Sequence, residues 1–574
     1  MIEPHRTPTE TPSEVSAWLE EGLRLHAEGQ LDPAEAIYSK VLERDPSNFT
    51  ATHCLGVIAS QRFRYEEAVH RIEGALRLNP RSAMAHLNLG IALGQLGRFQ
   101  EALIHYKLSL LLNPGFPDTY MNRGVALHAL HRHEEALASY DRALALKPDF
   151  ALAHSNKIFT LDFLPDLGFE AHQEERRKFF EMQTGNCPRG DPDFPNDRDP
   201  ARPLVVGYVS ADFKRHSAAS CFGPVLRHHD KVGFKIICYS GVRFEDDWTE
   251  QFRRLSDGWR TTTGLTDDEL ATQIRKDSVD ILVDLSGHTE GNRMLVFARK
   301  PAPIQVTAWG HGGGTGLPMI DFQFTDPVHT PAWARHLFAE ASYDLPCCIT
   351  FDPPDLAPPV AEVPCLSRGR ITFGSLNRVI KMTPPVQDLW IRILQAVPGS
   401  RLLLKDAKFD EPNHREALWT AFSERGIDPE RIELRGFTSH EDHLAACSEV
   451  DIGLDTFPQN GGISTWESLW MGTPVIAMLG NKPPSRISGA ILHALGLDEW
   501  MVENEEDYFR LAVQKASDLP GLARFRQGIR ARINASPAGN PELYTRRVED
   551  GYRMMWKHWL RGNAVGPHSQ DGNR

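Results

Sequence analysis

PRSAMAHLNLGIALGQLGRFQEALIHYKLSLLLNP, residues 80 to 114, decides how the first quarter of the chain is read. It opens and closes on proline, and the same register runs in both directions, with Pro46, Pro80, Pro114 and Pro148 evenly spaced. Glycine recurs at Gly22, Gly56, Gly90 and Gly124, alanine at Ala34, Ala68, Ala102 and Ala136, and leucine at Leu42, Leu76, Leu110 and Leu144. Tyr38, Ile72, Tyr106 and Tyr140 fill one bulky slot per unit. Small residues let helices cross closely, large ones fill the space beside them, and proline follows a helix that it cannot continue. Each unit therefore reads as two antiparallel helices.

A helical pair repeating every ~34 residues has the tetratricopeptide period. Such arrays bind partners along their inner helices. The repeats and their capping helices are expected over residues 15–185. A fifth unit begins at Ala151, loses register after Ile158, and is followed by a helical stretch to about Met182. Asn88, Asn122 and Asn156 recur at the same period, two positions before the small-residue slot. Asparagine is a poor helix former, so its recurrence points to use. Its amide both donates and accepts, and a ladder of amides can hold an extended peptide without reading its sequence. A polar residue at an exposed repeat position is the alternative.

Composition bounds the rest. A chain of 574 residues holds three or four domains on a prior of ~150 residues each. Lys and Arg total 63 against 76 Asp and Glu, a net charge of −13, which disfavours a sequence-blind nucleic-acid binder. The eight cysteines form no C-x-x-C pair, as expected of reduced thiols rather than a disulfide framework or zinc site. The first residues lack the basic and apolar regions of a signal peptide, and no apolar run approaches the ~20 residues of a membrane span. A cytoplasmic protein with no membrane or nucleic-acid partner is expected.

Residues 186–203 are rich in Pro and Asp and read as a linker. Beyond them, β-rich runs at Leu204–Val209, Phe234–Ser240, Ile281–Leu285 and Ile304–Trp309 alternate with helical pattern, predicting a parallel sheet covered on both faces over 204–350. A second Pro-rich linker, 351–370, precedes strands near Ile371–Gly374, Arg401–Leu404, Ile432–Leu434, Asp451–Leu454 and Pro474–Met478, within a second such domain, 371–540. A helix and tail, 541–574, end the chain. Two doubly wound domains in series enclose a cleft, and ligands bind outside the carboxyl ends of their strands.

Three loops of the second domain stand out. S-L-N-R-V-I-K-M-T-P, residues 375 to 384, places Lys381 just before a helix start, where lysine and helix amides together can hold a phosphate. R-G-F-T-S-H-E-D-H-L, residues 435 to 444, puts His440 and His443 in the first turn of a helix. They could form an aromatic platform for a base, a metal pair lacking a third ligand, or two solvent-facing histidines. In the third loop Gly461 and Gly462 lead into a helix carrying Glu467, a cradle for an anion with a carboxylate for ribose hydroxyls. In the first domain, G-Y-V-S-A-D-F-K-R-H-S carries Asp212 and His216 past a strand, and D-L-S-G-H-T ends another at His288. G-H-G-G-G-T-G, residues 310 to 316, has glycines that allow a ligand close to the backbone but does not fit G-x-G-x-x-G in its strand–helix setting, which excludes NAD.

Taken in order, the repeats and the motifs V-G-Y-V-S-A-D-F-x-x-H, P-A-P-I-Q-V, G-T-G-L-P-x-I-D, L-N-R-x-x-K-x-T-P, C-x-x-x-D-I-G-L-D and L-W-M-G-T-P-V-I resemble the O-linked N-acetylglucosamine transferases, specifically a bacterial homologue. The resemblance, from about residue 20 to 560, implies a tetratricopeptide superhelix followed by the two Rossmann-like domains of a B-type glycosyltransferase. It implies an inverting, metal-independent enzyme without cofactor that moves N-acetylglucosamine from UDP-GlcNAc to Ser or Thr of proteins held by the repeats. Lys381 then corresponds to the diphosphate-binding lysine, with Asn377 on its loop. His443 matches the histidine that stacks on uracil, and His440 shares its turn. Glu467 stands where the family usually has an Asp on the ribose. His216 matches a cleft histidine that serves as base or positions substrate, and His288 or the substrate itself could handle the hydroxyl proton instead. Departures are Gly461-Gly462-Ile463-Ser464 in place of G-H-T-T, and Arg378 in place of a Gln. The Asp-x-Asp pairs Asp191/Asp193 and Asp197/Asp199 lie in the linker, away from any strand end. Other readings are the same fold with glucose to Asn or fucose to Ser/Thr, a scaffold that only binds nucleotide, and a sugar-nucleotide epimerase, against which the repeats argue.

Overall fold

The computed structural model describes residues 14–164, 167–185, 187, 194–354 and 357–562, and the chain divides into two compact units, Met1–Thr160 and Leu161–Arg574. In the first, helix pairs Glu14–Ala27/Leu31–Arg44, Phe49–Gln61/Tyr65–Leu78, Ala83–Gln95/Phe99–Leu112 and Pro117–Ala129/His133–Leu146 repeat as expected. The small and bulky slots meet: a Cβ on Gly22, Gly56, Gly90 or Gly124 would lie 2.7, 2.5, 2.4 or 2.4 Å from Tyr38, Ile72, Tyr106 or Tyr140. No side chain fits there, so each pair closes only on glycine. Asn48 and Ser82 cap their helices by accepting the amides of Ala51 and Ala85.

The second unit holds two all-parallel sheets. The first comprises β1 (Leu204–Ser210), β2 (Phe234–Ser240), β3 (Gly258–Thr261), β4 (Ile281–Asp284), β5 (Ile304–Thr307), β6 (Phe322–Thr325) and β7 (Ala341–Asp344), ordered β3-β2-β1-β4-β5-β6-β7. The second comprises β8 (Thr372–Ser375), β9 (Arg401–Lys405), β10 (Ile432–Arg435), β11 (Ile452–Leu454), β12 (Val475–Met478) and β13 (Met501–Val502), ordered β10-β9-β8-β11-β12-β13. The sequence pattern missed β3, β6, β7 and β13. β3 and β7 are short half-exposed edges, β13 has two residues, and Gln323 interrupts the apolar run of β6. In both sheets the strand order reverses beside the first strand, between β1 and β4 and between β8 and β11, which opens a crevice at the carboxyl ends.

The unit boundary moves one expected element. The helix Phe169–Gln183, assigned from sequence to the repeats, packs on the first α/β domain. Its Gln173 Nε2 donates to Gly313 O at 2.8 Å and Arg176 Nε to Gly314 O at 3.0 Å. A Cβ on Gly316 would stand 2.6 Å from Arg176 Cβ, so Gly313 and Gly316 make room for this helix, while Gly312 and Gly314 close on His329 and Phe338. Arg176 is wholly buried, 3.6 Å from Asp162, which also meets His172 at 3.0 Å and His311 at 2.8 Å. Burial opposes the charge on Asp162, yet His311, Arg176 and His172 hold its carboxyl well below the usual range.

The helix Pro541–Leu560 returns from the second domain to the first. Its Tyr552 hydroxyl lies 3.0 Å from that of Tyr208 in β1, and Glu549 accepts from His229 Nδ1 at 3.0 Å and from the Asp230 amide at 2.7 Å. Phe351, leaving the first domain, stacks on Trp466 of the second at 5.8 Å.

Candidate active site

The crevice between β8 and β11 gathers two of the singled-out loops. After β8 the chain forms a short 3-10 turn, Val379–Lys381, then the helix Pro384–Ala396, with Pro384 at its first position and no side chain capping its amides. After β11 the chain enters the helix Ile463–Trp470 from Gly462, again without a capping side chain. Both helix starts thus keep amides available to an anion. Lys381 Nζ donates to Asn460 O at 2.5 Å, which bridges the loops. Burial and then the neighbouring Arg378 guanidinium bring its pKa down to about 8, with Asp455 opposing. Arg378 itself is exposed, and Ile463 half-buried.

Asn377 is buried with its amide fully used: Nδ2 donates to Asp455 Oδ1 at 3.1 Å, and Oδ1 accepts from Ser464 Oγ at 2.8 Å. Asp455, at the carboxyl end of β11, also accepts the Gly461 amide at 2.8 Å. A Cβ on Gly461 would fall 2.5 Å from Thr465 Oγ1 and 3.1 Å from Asp455 Oδ1, so glycine is needed for this closure. Sequence reasoning passed over Asp455, although D-I-G-L-D showed an aspartate at the very end of an apolar strand.

The third loop supplies the other end of the site. Ser439 caps the helix His440–Ser448 through the Asp442 amide at 3.1 Å. His440 Nε2 lies 2.7 Å from one oxygen of Glu467 and His443 Nε2 3.3 Å from the other. The two rings stand 6.4 Å apart, 27° from parallel. Burial would raise the Glu467 pKa, but the two histidines pull it down to about 2, and the same carboxylate raises that of His440. The imidazoles thus present ring faces beside a fixed carboxylate. Both are held by Glu467.

On the facing wall, His216 starts the helix Ser217–His228, and its Nδ1 accepts the Ala218 amide at 3.3 Å and lies 3.6 Å from Asp212. Burial lowers its pKa, Asp212 opposes this, and Arg378 of the second domain adds to the lowering, so the charges of both walls meet across the cleft. A neutral ring whose Nδ1 accepts carries its proton on Nε2. His288 does not belong here. It is 1% exposed, its Nε2 lies 2.8 Å from Thr315 O, and its ring packs edge-on to Phe179 at 4.7 Å. The expectation that it handles the acceptor's proton is therefore withdrawn, because the side chain sits inside the fold.

The three asparagines of the repeats are half-buried on successive units. Asn88 Nδ2 meets His53 Nε2 at 3.0 Å, Asn122 Nδ2 donates to Asp118 O at 2.9 Å, and Asn156 Nδ2 lies 3.7 Å from Met121 Sδ. Of the linker aspartates, Asp197 and Asp199 accept the turn amides of Asp199 and Ala201, while Asp191 and Asp193 lie outside the described residues. Among the described residues no helix is long and apolar enough to cross a membrane.

Repeats joined to two parallel-sheet domains have the architecture of a B-type glycosyltransferase carrying a tetratricopeptide array. The chain belongs to glycosyltransferase family 41, which matches residues 190–348 and 363–548, and tetratricopeptide families match 55–114 and 117–150. It is 35% identical over 422 residues to the probable UDP-N-acetylglucosamine–peptide N-acetylglucosaminyltransferase SPINDLY of Solanum lycopersicum, covering 72% of this chain and 45% of that protein. The corresponding Oryza sativa protein is 36% identical over 423 residues, covering 72% and 45%. The chain thus spans about half the length of these curated relatives. A substituted form of the Thermobaculum terrenum O-GlcNAc transferase superposes over 97% of this chain and 100% of its own, with TM-score 0.75 and 30% identity.

Proposed function

We propose that the protein transfers N-acetylglucosamine from UDP-GlcNAc to Ser or Thr hydroxyls of proteins, with inversion and without a metal. The observation that carries this reading is Lys381, half-buried between two uncapped helix starts at the β8/β11 crevice. The acceptor oxygen attacks the anomeric carbon from the face opposite the diphosphate. A new C–O bond forms as the bond to the UDP oxygen breaks. Negative charge grows on the departing diphosphate, and Lys381 with the amides of residues 462–464 stabilises it where it develops. His443 offers a face to the uracil, and Glu467 a carboxylate to the ribose. His216, neutral with its proton on Nε2, donates to a substrate oxygen. The hydroxyl proton then passes to an oxygen of the leaving diphosphate, which keeps the charges balanced. The repeats present the acceptor.

The test is incubation with radiolabelled UDP-GlcNAc, UDP-glucose and GDP-fucose, a protein lysate, and EDTA in a parallel arm. Label on protein from UDP-GlcNAc, undiminished by EDTA, is expected. Label from another donor would leave a transferase with a different sugar, loss with EDTA would refute the metal-free step, and no label from any donor would leave a nucleotide-binding scaffold.

A further inference from the structure

The two loops that would cradle the diphosphate come from strands distant in sequence, and one carboxylate accepts a hydrogen bond from each. Asp455 Oδ1 accepts Asn377 Nδ2 from the lysine loop at 3.1 Å and the Gly461 amide from the glycine loop at 2.8 Å. Its own backbone carbonyl is fixed by the Tyr508 hydroxyl at 2.9 Å. Asn377 passes the connection on to Ser464, at the start of the helix Ile463–Trp470. The carboxylate is 2% exposed and so acts in a medium where one charge counts for much.

We propose that Asp455 is a positioning residue that sets the lysine loop against the glycine loop before the donor arrives. This rests on the reading of Lys381 as the diphosphate ligand. Glycine at 461 lets its amide reach the carboxylate, since a Cβ there would crowd Asp455 and Thr465. The charges acting on Lys381 are Arg378, from its own loop, and Asp455, from the end of β11. Arg378 repels the ammonium and Asp455 attracts it, so Asp455 is the counter-charge on that side of the crevice. Burial raises the Asp455 pKa, and the bonds it accepts and the Lys381 charge oppose that rise. Removing the carboxylate leaves Arg378 unopposed, and Lys381 then loses its proton at lower pH.

The experiment measures nucleotide affinity of the full chain by calorimetry with UDP and with GDP, from about pH 7 to about pH 8.8, above the second phosphate ionisation and below that of the base N–H. Whichever nucleotide binds wild type is used throughout, so the identity of the base is read separately from the role of Asp455. Wild-type affinity should begin to fall as pH rises past about 8, the Lys381 value. In Asp455→Asn the fall should begin at lower pH, with affinity at neutral pH reduced about tenfold or more. Asn377→Ala cuts the same tie from the other side but leaves the carboxylate in place. It should lose affinity without moving the pH dependence. Thermal melting of each variant reports folding. An Asp455→Asn variant with a lower melting temperature but the wild-type pH dependence would reduce Asp455 to a structural residue and overturn the proposal. Wild-type affinity in Asn377→Ala would overturn the loop tie, and it does so even if Asp455→Asn fails to fold.

Discussion

Glycine permits close approach in both units of this protein, against very different partners. In the repeats, Gly124 lies under Tyr140 of its own unit, and the same contact recurs at Gly22, Gly56 and Gly90. In the catalytic unit, Gly313 and Gly316 close on Arg176, and the bond from Arg176 to Gly314 spans 138 residues. Local, repeated contacts stabilise each unit and its neighbour, so their loss is felt locally. Contacts between distant segments tie a whole domain into one cooperative body.

The difference can be broken by mutation. The largest effect is expected from Arg176→Met, which leaves the buried Asp162 carboxylate short of a partner. It should cost about 3–5 kcal/mol, read as a lower urea midpoint for the catalytic unit with the repeat helices still folded. If both units lose stability equally, the two are not separate bodies. Next is Lys381→Ala, which should leave the melting temperature near wild type and remove roughly 3–4 kcal/mol of transition-state stabilisation. Wild-type turnover at saturating donor would sink the phosphate role. Gly124→Val drives a branched side chain into Tyr140 and should destabilise the repeats by about 1–3 kcal/mol. UDP affinity, measured by titration, should not change. The smallest effect per site is expected from Asn88→Ala, Asn122→Ala and Asn156→Ala combined, which should weaken acceptor binding by about 0.5–1.5 kcal/mol for each hydrogen bond lost. Unaltered transfer to a protein acceptor, with UDP affinity also intact, would leave the ladder without a task.

The same contrast explains what could be read from the chain. The even period of the repeats exposed both the small and the bulky slot of each unit, and their contact followed. Apolar runs revealed the central strands, and the topological rule for parallel sheets placed Lys381, Asn377, Gly461 and Glu467 at one edge. Sequence reading failed where a residue's partner is remote and irregular. The glycines of 310–316 looked like a ligand loop because Arg176, His329 and Phe338, which close on them, were invisible beside them. His288 looked like a cleft histidine because it ends a strand, yet Thr315 and Phe179 enclose it. Asp455 drew no notice because its importance lies in joining loops, and a linear string does not show joints. The edge strands β3 and β7 carry too little apolar pattern to announce themselves.

The returning helix Pro541–Leu560 sets an order of assembly. Tyr544, Val548, Tyr552 and Trp556 are wholly buried, and Glu549 satisfies His229 and the Asp230 amide in the first domain. During synthesis, residues 204–350 emerge long before this helix does. Their sheet must wait, with an apolar face uncovered, while the entire second domain is made. A chain cut after residue 540 would hold a complete second domain and an uncovered first one. Until this helix docks, the first domain keeps an apolar face open to solvent.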